Sequence, residues 1–224
     1  MAHDPTMPTL LELFSGTGNL SQHFRMHGWN AYTVDYNPDL KPDLVADISK
    51  ISINDIVELC HGIPDVIWAS PDCTTYSVMA LTHHRFKDPE TGELKPKTDY
   101  AKFCDATNAR TLDIIHALAP RFYFIENPRG GLRKMPFMTG EPRYTVTYCQ
   151  YGEAYMKPTD IWTNYPDPPF RPPCKNGAPC HVAAPRGCRT GIQGIEGKGR
   201  AGKRARLPDQ LCEHVFEMVD RYIH

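Results

Sequence analysis

Apolar residues fall in short runs separated by stretches of helical period, beginning with Thr9 to Phe14 (TLLELF), a run broken at once by Ser15-Gly16-Thr17-Gly18. Asn19 to His27 then sets Leu20 and Phe24 four residues apart, the spacing of one helix face, so the chain opens as strand, glycine turn, helix. Ala31 to Val34 is a second extended run closed by Asp35, and Leu44 to Ala46 a third closed by Asp47. Ile51 to Cys60 predicts a helix, and Asp65 to Ala69 (DVIWA) a strand buried by its branched and aromatic residues. Tyr100 to Leu118 carries a helical period that stops before Pro120, and Phe122 to Ile125 is another buried strand running into Glu126-Asn127-Pro128. Tyr144 to Cys149 and Thr159 to Thr163 predict two late strands near enough in sequence to pair antiparallel. Pro208 to Tyr222 closes the chain as a helix with Leu211, Val215, Met218, Val219 and Tyr222 on one face. This alternation predicts the α/β class, with a doubly wound and mostly parallel sheet.

Two stretches interrupt the pattern. Ser70 to Asp99 is polar and irregular, with Pro71, Pro89, Gly92 and Pro96, and its length predicts a mobile active-site loop. Its His83, His84, Arg85 and Lys87 read either as solvated polarity or as phosphate contacts. Tyr165 to Pro185 is crowded with proline and Gly187 to Gly202 with glycine, which suits neither helix nor strand. The expected division is a main domain of residues 1–165 plus 207–224 and a small insertion over 166–206.

Composition narrows the class. With 41% hydrophobic and 23% charged residues the chain is ordinary globular material, which excludes a disordered or collagen-like protein. Neither an apolar stretch long enough for a membrane span nor the pattern of a secretory signal is present, so a soluble, cytoplasmic protein is expected, free of membranes and acting as a monomer. Eight cysteines without such a signal imply reduced thiols, a nucleophile or a metal site rather than disulfides. Between Arg171 and Arg206 nine Lys or Arg face the single acid Glu196, a local charge of +8 in a chain whose total is −1. A basic lobe on an acidic body is an electrostatic footprint for nucleic acid, and Arg186, Arg189, Lys198, Arg200, Lys203 and Arg204 are its candidate contacts. Residues 191–202 are expected to order on binding. The same lobe holds Cys174, Cys180, His181 and Cys188, which read either as a structural zinc site or as unligated thiols of a recognition loop.

The chemistry concentrates at strand ends, where an open α/β sheet forms its ligand crevice. Phe14, Gly16, Gly18, Asn19 and Leu20 form a glycine turn after the first strand that lets backbone approach a ligand. Asp35 ends the second strand, where a carboxylate accepts from both ribose hydroxyls of an adenosine cofactor; Tyr36 is placed to stack beside the adenine. Asp47, followed by Ile48, is placed to accept from the adenine amine, a turn residue being the alternative. Ala69-Ser-Pro71-Asp72-Cys73 puts a cysteine in a loop beyond the fourth strand, and Glu126 ends the neighbouring one, so nucleophile and acid face one crevice. Cys60, Cys104, Cys149 and Cys212 are expected to be small buried hydrophobes.

Taken in order, these motifs resemble the S-adenosylmethionine-dependent DNA (cytosine-5) methyltransferase family, in the short form carried by phages and bacteria. LELFSGTGNLS resembles its cofactor glycine motif, Asp35-Tyr36 its acid and aromatic, Asp47-Ile48 its adenine contact, Pro71-Asp72-Cys73 its Pro-Cys loop, Glu126-Asn127-Pro128 its Glu-Asn-Val motif, and Arg206 to Leu211 the approach to its last helix. The resemblance implies a Rossmann-like class I methyltransferase fold and S-adenosylmethionine as cofactor. It further implies methylation of C5 of a flipped cytosine in double-stranded DNA through a covalent adduct on Cys73, with Glu126, Asn127 and Lys157 as catalytic partners. Three positions depart from the family pattern: Asp72 where proline is usual, Pro128 where valine is usual, and Lys157 in place of an arginine. An RNA-acting branch, and a non-catalytic DNA-binding scaffold, are the alternatives to that activity.

Overall fold

A computed structural model describes residues 3–183 and 205–223. Strand β1 (Thr9–Leu13) is buried at every position and pairs in parallel with β2 (Asn30–Asp35) on one side and β4 (Val66–Ala69) on the other. A strand covered on both faces needs a continuous apolar sequence, which TLLEL and VIWA supply. Outward from β2 lies the two-residue β3 (Leu44–Val45); outward from β4 lie β7 (Phe122–Pro128), then β9 (Pro158–Thr163), then β8 (Arg143–Thr147). The seven-stranded order is β3-β2-β1-β4-β7-β9-β8, parallel as far as β7, with β9 antiparallel to both its neighbours. This is the expected Rossmann-like, mostly parallel sheet, and the late strands form the expected antiparallel pair.

Alternation along the strands divides the core between two faces. Leu10, Val66, Trp68, Phe122 and Phe124 pack with Leu20 and Phe24 of α1 (Asn19–Met26) and with Leu211, Val215 and Val219 of the closing helix α5 (Asp209–Ile223). Leu11, Leu13, Ile67, Tyr123 and Ile125 pack on the other face with Ile56 of α2 (Ile53–Cys60) and with Leu112 and Ile115 of α4 (Asp99–Leu118). Helix starts follow local chemistry: Ser52 and Asp55 form a reciprocal capping box on α2, and Thr98 caps α4. Asn19 Nδ2 donates to the Leu207 carbonyl at 2.8 Å, tying the approach to α5 onto the start of α1 across most of the sequence.

Three expectations need correcting. Residues 70–99 are not irregular throughout: they contain a four-residue helix α3 (Leu81–His84) and a hairpin of β5 (Arg85–Lys87) with β6 (Leu94–Pro96). The strand predicted to reach Cys149 stops at Thr147, where the chain tightens into a 3-10 turn over Tyr148–Tyr151. Tyr222 sits at the margin of its helix face, half exposed, with its ring edge against Phe122. No helix among the described residues is long and apolar enough to cross a membrane.

Candidate active site

The glycine turn after β1 is left-handed at Phe14, Gly16 and Gly18, with φ of 56°, 53° and 65°. Backbone in that region favours glycine, and a Cβ built on Gly16 meets nothing within 4 Å, so the crevice above it is open. The turn is held from below: Gly16 N donates to Asp35 Oδ2 at 2.9 Å, and Asn37 N donates to Asp35 Oδ1 at the same distance. Asp35 therefore binds the turn to the end of β2, while the Tyr36 ring beside it is 75% exposed. The side chains of Asn19, Leu20 and Ile48 are buried, the last two in the core, so backbone is what these residues offer a ligand. Asp47 accepts from Ser49 N and Ser49 Oγ at 3.0 and 2.7 Å, and these hydrogen bonds with nearby Lys50 hold its carboxyl below the usual range.

Pro71 and Cys73 follow β4 on the same sheet edge. Tyr76 N and Ser77 N donate to the Cys73 carbonyl, so the thiol rides on a tight turn. The neighbouring Asp72 is engaged elsewhere: its carboxylate accepts from Thr74 N at 2.6 Å and from the Tyr100 hydroxyl. Behind the turn stands Arg85, only 2% exposed. Its guanidinium donates to both Asp105 oxygens at 2.7 and 3.0 Å, to the Thr75 carbonyl and hydroxyl at 2.9 Å each, and lies 4.1 Å over the Tyr76 ring. Arg85 is thus neither solvated nor a phosphate contact, but the buried anchor of the cysteine loop. Gly130 and Gly131, just beyond β7, press on the same loop: Gly131 N donates to the Tyr76 carbonyl at 2.7 Å, and a Cβ on Gly130 would stand 2.3 Å from that oxygen.

Neighbouring residues of β7 complete the site. Asn127 is fully buried and donates through Nδ2 to the Pro71 carbonyl at 2.9 Å, pinning the cysteine loop to the strand. Glu126 accepts from the Tyr148 hydroxyl at 2.9 Å and has Lys157 Nζ at 4.0 Å, with all three side chains buried. Lys157 also lies 4.2 Å over the Tyr148 ring, on a backbone held at a φ of 29°. Burial pushes the Cys73 thiol up to about 11; Lys157 opposes this, while Glu126 and Asp72 add to it. Cys73, Glu126 and Lys157 therefore share one electrostatic neighbourhood. Tyr148, Arg85 and the glycine pair carry no local signature as site residues, although two consecutive glycines beyond a buried strand do signal close backbone approach.

Arg186, Arg189, Lys198, Arg200, Lys203, Arg204 and Cys188 lie outside the described residues. Cys174, Cys180 and His181 do come together, and they are joined by Cys149 from the 3-10 turn, which was expected to be a plain buried hydrophobe. Cys60, Cys104 and Cys212 are buried as expected.

No family model matches the chain. A sequence comparison finds it 31% identical over 163 residues to the probable DNA (cytosine-5)-methyltransferase of Frog virus 3 (isolate Goorha), covering 69% of this chain and 70% of the viral protein. Among solved structures, the Entamoeba histolytica methyltransferase EhMeth superposes with a TM-score of 0.50 at 16% identity, over 70% of this chain and 52% of its own. The S. pombe Dnmt2 methyltransferase gives 0.48 at 15%, over 70% and 50%. The chain thus spans about half the length of the solved structures it matches. EhMeth supports the fold; the viral relative shows that the chain belongs to the DNA (cytosine-5)-methyltransferase family.

Proposed function

We propose that this protein methylates C5 of a cytosine everted from double-stranded DNA, through a covalent bond between Cys73 and C6 of the base. The observation that carries this reading is the shared neighbourhood of Cys73, just beyond β4, with Glu126 near the end of β7 and Lys157 just before β9. Cytosine C5 is a poor nucleophile, and adding a thiolate at C6 makes it enamine-like. Cys73 forms that bond as its proton leaves for solvent or a neighbouring base. Glu126, steadied by the Tyr148 hydroxyl and carrying a proton that it shares with the ring, donates to N3, where negative charge would otherwise build up, and accepts from the exocyclic amine. Lys157 lowers the thiol pKa and offers a donor to the base oxygen. Once C5 carries the methyl group, loss of its proton re-forms the C5–C6 double bond and expels the Cys73 thiolate. Asn127 acts through position, since its bond to the Pro71 carbonyl sets where the cysteine loop stands relative to Glu126.

The residues present fit S-adenosylmethionine. The space over Gly16 is open and the left-handed turn brings bare backbone to it. Asp35, with an uncommitted lone pair on each oxygen, would take the ribose hydroxyls; Tyr36 and Asp47 with Ile48 would border the adenine; the first N–H groups of α1, at Asn19 and Leu20, would take the carboxylate. When bound, this cofactor supplies a methyl group activated on a sulfonium. The basic stretch of residues 171–206 supplies the charge that a phosphate backbone requires, which supports a role for that insertion in target recognition.

The test is incubation of tritiated S-adenosylmethionine with mixed DNA and RNA, and with DNA containing 5-fluorocytosine, for the wild type and Cys73→Ala. Label in DNA and a denaturation-resistant adduct, both lost in Cys73→Ala, are expected. Label confined to RNA would move the substrate to that polymer. Saturable cofactor binding with no transfer to either would leave a DNA-binding scaffold.

A further inference from the structure

Cys149, Cys174, Cys180 and His181 bring one ligand atom each to within 4.8 Å of one another, although their sequence positions span more than thirty residues. Tetrahedral zinc with bonds of about 2.0–2.3 Å needs ligand atoms roughly 3.5–3.8 Å apart. Cys174 Sγ to His181 Nδ1 is 3.6 Å and Cys180 Sγ to the same nitrogen is 3.5 Å. Cys149 and Cys174 stand closer, at 2.9 Å, a thiol–thiol contact well beyond the roughly 2.05 Å of a disulfide. The surroundings are those of a ligand set rather than of chance thiols. His181 turns Nδ1 toward the sulfurs, while Nε2 lies 3.3 Å from both Asn176 Oδ1 and Gly177 N; the Asn176 oxygen is the kind of outer partner that orients a metal-bound imidazole. Gln150 Nε2 donates to Cys180 Sγ at 3.4 Å, as amides do to metal thiolates. The loop is also docked independently of its thiols: Cys174 N donates to Thr147 Oγ1 at 3.1 Å, and Val182 N to the Ala154 carbonyl at 2.8 Å.

We propose that this cluster is a structural zinc site of Cys3His composition, with Cys149 rather than Cys188 as its fourth ligand. Four protein ligands close the coordination shell, so the ion has no open position for catalysis. Its work is architectural. It fastens the proline-rich chain around Cys174–His181 to the 3-10 turn that carries Tyr148, and Tyr148 is the residue that steadies Glu126. The site is formed by its own four ligand atoms and does not depend on the chemistry at Cys73.

Zinc is measured on the full chain purified with reductant and dialysed exhaustively, alongside Cys149→Ser, Cys180→Ser and Cys188→Ser, with circular dichroism reporting the fold. About one equivalent of zinc is expected in the wild type and in Cys188→Ser, with X-ray absorption showing three sulfur neighbours and one nitrogen. Replacement by cobalt should give the charge-transfer and d–d bands of tetrahedral thiolate coordination. Cys149→Ser and Cys180→Ser should hold less than about a tenth as much zinc. Fewer than about 0.2 equivalents in the wild type overturns the site, given how tightly structural zinc is held. So does loss of zinc in Cys188→Ser, a cluster containing iron, or an intact Cys149–Cys174 disulfide in protein alkylated at lysis. If Cys149→Ser does not fold, the X-ray absorption of the wild type together with the zinc content of Cys188→Ser decides the matter.

Discussion

The two sides of the crevice are built in opposite ways. The glycine turn over Asp35 is a local device: backbone of residues 14–18 and one carboxylate at the end of the adjacent strand, with almost no side-chain scaffolding. The cysteine loop is assembled at long range, with Arg85 and Asp105 behind it, Gly130 and Gly131 against it, and Asn127 holding its proline. A pocket that admits a flexible cofactor works with bare backbone. A nucleophile that must meet one carbon of a base needs a rigid support, because small misplacements of reacting groups are costly in rate.

That contrast can be broken most severely at the sulfur. Cys73→Ser should reduce methyl transfer by at least about 10³-fold while leaving cofactor affinity, measured by calorimetry, within about twofold. Next in size is the anchor: Arg85→Ala removes a fully buried guanidinium from the partly buried Asp105 carboxylate and should cost about 3 kcal/mol in urea unfolding, whereas a change confined to the glycine turn should not approach this. A third measurement concerns Glu12, whose Oε2 accepts from Ser21 N and Ser21 Oγ at 3.0 and 2.6 Å. Burial raises its carboxyl from 4.5 to about 7, so the fold favours the protonated form. Its contribution is complete below the unfolded value near 4.5 and is lost as pH rises through about 7. Glu12→Gln should therefore flatten the pH dependence of unfolding across that window, with a gain of about 2 kcal/mol at pH 8. Removing the ammonium in Lys157→Met should lift the Cys73 thiol further and slow its alkylation by iodoacetamide at pH 8 by about tenfold. The smallest effect is expected at Gly16→Ala, about 1 kcal/mol of stability from the left-handed turn.

The same contrast explains what the amino-acid sequence disclosed. Strand ends followed by Gly16, Asp35, Cys73 and Glu126 are contiguous signals, and the sheet edge that gathers them follows from βα alternation. Arg85 looked like one more polar residue in a loop because its partner Asp105 lies on the next helix, and partnership at that distance leaves no periodicity. Tyr148 and Cys149 read as the tail of a strand; only the 3-10 turn after Thr147 sends one toward Glu126 and the other toward Cys174. Gly130 and Gly131 follow a buried strand, and only the fold shows that what they approach is the Tyr76 carbonyl.

The alternation within β7 sets a limit on insertions and deletions. Phe122, Phe124 and Glu126 look toward the α1 and α5 side, where Tyr148 waits, while Tyr123, Ile125 and Asn127 look toward the α2 and α4 side, where the Pro71 loop lies. One residue added or removed between Phe122 and Ile125 would exchange these two audiences, driving the carboxylate against the Pro71 carbonyl and handing the tyrosine an amide. A single codon, read in frame, would then undo both halves of the pocket at once.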